Sequence, residues 1–138
     1  MSEAGDLLMN KSMDFAVRIV NLYKWLCSEQ KEYIMSKQLL RCGTSIGANL
    51  SEAQSAISKA DFASKVYISL KECKETQYWI RLLHKTNYLD EKLYLSIYND
   101  SKELASLLTS VTKKLQPQSH KHSTLNIKHL RAYAQFNI

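Results

Sequence analysis

Apolar residues recur at steps of three and four along most of this chain, a spacing that gathers them on one side of an α-helix and on neither side of a strand. Phe15, Ile19, Leu22 and Leu26 begin the pattern, in a helix predicted to run from Lys11 to about Ser28 or Gln30. Leu39, Cys42, Ile46, Leu50, Ala53 and Ile57 continue it from about Ile34 to Ser58. Phe62, Val66, Leu70, Cys73, Ile80 and Leu83 mark a third helix reaching Lys85, and Leu93, Ile97, Leu104, Leu108, Val111 and Leu115 a fourth. Polar words separate these runs. Ser58 or Asp61 in SKAD, and Asp90 in TNYLDEK, offer oxygens to the free amides of a following first turn. Gln116-Pro117 stops the fourth helix, because the residue before proline is pushed out of helical geometry.

Only 3 glycines and 1 proline punctuate the 138 residues, which leaves little chain for tight turns and favours long helices joined by short connections. The fold class read from this is all-α: an antiparallel up-down-up-down four-helix bundle with a C-terminal extension. Residues 1–10 read as a flexible N-terminus, 11–116 as the bundle, and 117–138 as a linker and C-terminal docking segment. In that last segment Leu125, Leu130, Tyr133 and Phe136 are too many apolar residues for an indifferent tail. They are expected to dock either on the bundle itself or on a partner.

The net charge of +6 makes a polyanionic partner compatible with the chain without identifying a site. Cys27, Cys42 and Cys73 are odd in number, widely spaced and free of any C-x-x-C pair, so they read as small buried hydrophobes in a reducing cytoplasm. No apolar run is long enough to span a bilayer, and the acidic N-terminus is unlike a signal peptide. Catalytic groups are poorly represented. The Glu-x-x-His motif of ferritin-like iron sites is missing, His84 stands alone, and His120 and His122 fall in the linker. Neither enzyme activity nor a cofactor is expected.

Function is therefore sought on the faces a bundle leaves exposed. On the third helix Tyr67, Lys71, Lys74, Tyr78, Arg81 and Lys85 fall within roughly 80° of one another. Cations between tyrosines suit a phosphate backbone with rings available to bases. The bland alternative is a solvated face whose lysine stems cover the bundle. On the other shoulder of that helix, Ile68, Trp79 and Leu82 cluster beside Glu75, an apolar patch read as an oligomer interface. Gly43 and Gly47, joined by Ala48, give the second helix a smooth back against which another backbone can approach. That contact is either a sister helix or a sister subunit. Arg41, Asn49 and Glu52 are placed to pair with Lys71, Glu72 or Glu75 of the third helix.

The run QLLRCGTSIGANLSEAQSAISKADFASKVYISLKECKETQYWIRLL, residues 38–83, together with DFAVRIVNLYKWL, closely resembles the family of four-helix proteins encoded in intervening sequences of bacterial 23S rRNA genes. The resemblance covers about residues 11–115. It implies an antiparallel bundle assembled as a homopentamer. A similar fold and assembly serves the accessory variability determinant of diversity-generating retroelements, a basic pentamer that binds a reverse transcriptase and nucleic acid. By that analogy Lys71, Lys74, Tyr78, Arg81 and Lys85 would face RNA or DNA, and the Trp79 patch a neighbouring subunit. Cys42 stands where the family usually has a small hydroxyl residue, and the residues after Pro117 extend beyond many relatives. The expected function is a non-enzymatic oligomeric nucleic-acid-binding adaptor, an accessory subunit of a reverse transcriptase or another RNA-handling complex. A protein-interaction scaffold without nucleic acid is the alternative.

Overall fold

The structure, a computed structural model, describes residues 2–115; the docking segment with Leu125, Leu130, Tyr133 and Phe136 lies outside the described residues. Four helices follow one another, α1 (Glu3–Ser28), α2 (Met35–Ala53), α3 (Lys59–Lys85) and α4 (Glu91–Leu115). They form a ring in which each packs on its neighbours in sequence and α1 meets α4, the α1–α4 contact being the least extensive. Cross-contacts fix the register as antiparallel throughout. Gly43 faces Ile19 and Gly47 faces Ser12, Lys65 meets Glu52 while Arg41 meets Glu75, and Tyr67 reaches Thr112 while Arg81 reaches Tyr98.

The predicted apolar residues form the core except Ile57, with Phe62, Leu70, Leu93, Val111 and Leu115 only partly buried at its margin. Ile19, Leu26, Leu39, Cys42, Ile46, Cys73, Ile80, Leu83 and Leu108 are completely buried. Small polar residues let the helices approach closely: Ser69, also completely buried, donates its hydroxyl proton to the Ile46 carbonyl at 2.9 Å across the α2–α3 contact.

Two boundaries depart from the sequence reading, and the start of α2, where it was expected, is capped from outside the helix. The first helix begins at Glu3, so residues 3–10, read as part of a flexible N-terminus, are helical: Ser2 accepts the Gly5 N–H at 3.1 Å, Glu3 and Asp6 complement the positive helix end, and Leu8 is buried. At the other end of the hairpin, α2 stops at Ala53. Ser55 N–H and Ala56 N–H turn back onto the Glu52 and Ala53 carbonyls, and Ile57 N–H donates to the Asp61 carboxylate at 3.2 Å. Ile57 is thereby drawn toward the start of α3 and is 93 % exposed rather than turned inward. Finally, α2 has no capping side chain at Ile34; Glu32 replaces it. Its carboxylate accepts the N–H groups of Ile34 (3.0 Å), Met35 (2.9 Å) and Ser36 (2.7 Å). Burial pushes the Glu32 carboxyl up, but those backbone donors outweigh it and hold it below the ordinary glutamate value.

The expected caps of the other helices are present. Ser58 accepts from Asp61 N–H, and Asp90 accepts from Leu93 N–H at 2.8 Å. Asn87 takes the left-handed conformation (φ 70°) that asparagine tolerates, turning the chain from α3 into α4.

Candidate nucleic-acid interface

The exposed edge of the α3–α4 pair collects the cationic side chains predicted from the third helix. Lys71, Lys74, Arg81 and Lys85 are exposed, and Tyr78 is 50 % exposed. Among the described residues none of the four cations has a carboxylate within ion-pairing distance, whereas Lys11, Arg18, Arg41 and Lys65 are all paired. The row from Lys71 to Lys85 spans about 21 Å, the axial length of roughly six phosphates of one B-form strand.

α4 extends this edge in a way the third helix alone did not reveal. Arg81 Nη1 donates to the Tyr98 hydroxyl at 3.3 Å, and Tyr67 donates to the Thr112 carbonyl at 3.4 Å. Lys102, exposed, follows Tyr98 by four residues and Lys113 by fifteen, so both continue the row of α4 that borders α3. His84 is not solitary. Its ring stacks on Tyr94 with centroids 3.9 Å apart and 2° between planes, Tyr94 stacks on Tyr98 at 5.3 Å, and His84 Nε2 lies 2.8 Å from Glu91 Oε2. Tyr94 therefore stacks with two protein rings. Tyr78, edge-on to Trp79 at 5.0 Å, is the tyrosine of the predicted stripe with the larger open surface.

The predicted interface residues separate. Gly43 is buried, and a Cβ there would meet Ile19 of the same chain; it serves a sister helix and not an oligomer interface. Gly47 likewise faces Ser12 of α1, half-buried at the rim of that contact. Ile68, Trp79 and Leu82 are half-buried on α3, and the indole N–H of Trp79 is enclosed without a hydrogen-bond partner. Arg41 does pair with Glu72 (3.2 Å) and Glu75 of α3; Glu52 takes Lys65 instead, and Asn49 bonds the Ser45 carbonyl in its own helix.

Burial pushes the Cys42 thiol up to about 12 and the Cys73 thiol to about 11, which holds both as protonated thiols near neutral pH. Cys27 is half-buried, less enclosed than expected, with Sγ 3.7 Å from Ser36 Oγ. Among the described residues no three His, Cys, Asp or Glu side chains are grouped to hold a metal ion, and no helix is long and apolar enough to cross a membrane.

These features place the molecule in the class of small antiparallel four-helix bundles. The chain belongs to the family described as 23S rRNA-intervening sequence protein, which matches residues 7–110. It is similar to a solved protein of unknown function from the S23 ribosomal protein family of Bacteroides thetaiotaomicron VPI-5482. The two are 55% identical, the match covers 80% of this chain and 98% of that one, and the TM-score is 0.79. None of the curated proteins matches the chain.

Proposed function

We propose that this protein is a non-enzymatic, oligomeric adaptor that binds RNA or DNA through the outer edge of α3 and α4. One observation carries the reading: among the described residues Lys71, Lys74, Arg81 and Lys85 share one exposed edge, and none of them has a carboxylate within ion-pairing distance. Unpaired lysines along one edge attract phosphates and release counterions on binding. They contact backbone and not base edges, so affinity would depend strongly on salt and weakly on sequence. The three free cysteines fit a reducing cytoplasm. By family resemblance the complex would include a reverse transcriptase or another RNA-handling enzyme, and the copies would number five.

Fluorescence anisotropy of a structured RNA and of single-stranded DNA, titrated with the full chain between about 0.05 and 0.2 M salt, tests the reading. Binding should weaken steeply with salt, and Lys74→Glu with Arg81→Glu should reduce it at least tenfold. Binding unchanged by both substitutions would remove this edge. No binding at the lowest salt would leave the protein-interaction scaffold.

A further inference from the structure

At the end of the bundle where α2 turns into α3, an open groove of about 920 Å³ lies between that turn and the last residues of α4. Ala53, Ile57, Phe62, Ala63 and Leu115 give it an apolar floor, and Lys59 and Lys114 are the charged residues of its lining. Ile57, held in the turn by its N–H bond to Asp61, is 93 % exposed, and Phe62 is only half-buried. Apolar side chains left in water side by side are stabilised by whatever covers them.

We propose that the groove is filled by this chain's own residues 132–138, AYAQFNI. Position argues for this occupant. Leu115, the last described residue, is part of the groove wall, so the tether, residues 116–131, starts at the groove itself. Each residue of a tether spans up to about 3.3 Å, which makes the reach ample, and the entropy of closing it grows only with the logarithm of its length. A ligand so tethered acts at an effective concentration on the order of millimolar, an advantage no separate partner has. Chemistry agrees. The cations of the segment, Lys121, Lys128 and Arg131, all precede this stretch, which has no charged side chain and carries Tyr133 and Phe136. Aromatic rings can lie on the apolar floor while the ammonium groups of Lys59 and Lys114 approach their faces. A phosphate or an acidic partner would be drawn to the two lysines but would leave Ile57 and Phe62 in water.

Limited trypsin digestion of the full chain, read by mass spectrometry, tests this. Trypsin cuts after Lys121, in the tether, and after Arg131, at the edge of the docking stretch. Each rate is divided by that of the same bond in a synthetic peptide of residues 116–138. A docked stretch has to open before the protease can take hold of it, so cleavage reports the undocked fraction. The expected result in wild type is cleavage after Arg131 slowed at least tenfold relative to Lys121, with that protection lost in Ile57→Asp and in Phe136→Ser. Ile34→Asp, at another exposed isoleucine, should keep it. Equal normalised rates in wild type would overturn the proposal and leave the groove to a separate partner. Protection that survives either groove or segment substitution would overturn it too. A mixture of Ile57→Asp and Phe136→Ser chains pairs an intact segment with an intact groove only between chains. Restored protection there would place the segment on a neighbour and overturn docking within the chain. Circular dichroism establishes that each variant is folded, and Ile57→Ser makes the same test without a charge should the aspartate variant fail to fold.

Discussion

A Cβ on Gly43 would stand 2.8 Å from Ile19 Cγ2, closer than side-chain atoms approach one another in folded proteins. Ile19 is completely buried and β-branched, so it cannot swing aside. Gly43→Ala should therefore destabilise the bundle by about 1–2 kcal/mol despite a gain in helix propensity. Gly47→Ala should cost less than Gly43→Ala, because its nearest neighbour is the Ser12 hydroxyl 3.2 Å away, which need give only a few tenths of an ångström while keeping its bond to the Met9 carbonyl, and helix propensity offsets part of that. Urea denaturation of the two variants checks the contrast.

Glu32→Gln should cost about 1–2 kcal/mol, since a neutral amide accepts the three backbone N–H groups less well than a carboxylate. The folded-state pKa of Glu32 is depressed, so its contribution is present above the unfolded glutamate value of about 4.3 and is lost as pH falls through the folded value. Wild type should lose more stability than Glu32→Gln as pH is lowered through that acid window. Denaturant midpoints at a series of pH values measure it.

Of the three thiols, Cys27 alone is partly accessible. A thiol reagent at pH 7.5 should label one cysteine per native chain quickly and all three after unfolding. The Cys42 and Cys73 reactions should follow the rate of opening of the bundle, because their raised pKa and burial leave almost no thiolate in the native state. Rapid labelling of two or more would contradict the packing described.

If the α3–α4 edge holds phosphates, Lys102→Glu on α4 should weaken nucleic-acid binding as Lys74→Glu on α3 does. Removing each phosphate contact should flatten the dependence of log affinity on log salt by about 0.7–0.9. Lys24→Glu, an equal charge change on α1, should leave that slope nearly unchanged. Equal losses at all three positions would mean that only the net charge matters.

The helices were legible because residues such as Ile19, Ile46 and Leu108 repeat with the helical period and all turn inward. The same rule misled at Ile57, where apolar spacing continued past a turn set by backbone bonds to Glu52 and Ala53, which periodicity does not register. Leu8 was hidden by its acidic surroundings, although Ser2 three residues before Gly5 was a cap signal open to inspection. Glu32 in a charged loop word gave no sign that its carboxylate turns back onto the next helix. The cations of α3 could be read from one helical wheel. The His84–Tyr94–Tyr98 stack could not, because it joins two helices and depends on their register. The smooth back of α2 was visible, but whether it faced a helix or a subunit required the position of Ile19.

The α1–α4 contact also behaves as a latch. α1 is hinged on α2 through the glycine contact, while its other edge meets α4 least extensively and is fastened by Lys11–Glu103 and Arg18–Asp100, all partly exposed to solvent. Exposed pairs of this kind hold weakly and are screened by electrolyte. The ionic strength that strips a bound polyanion from one side of the molecule therefore slackens the latch on another, and amide exchange in α1 should accelerate with salt ahead of α2 and α3.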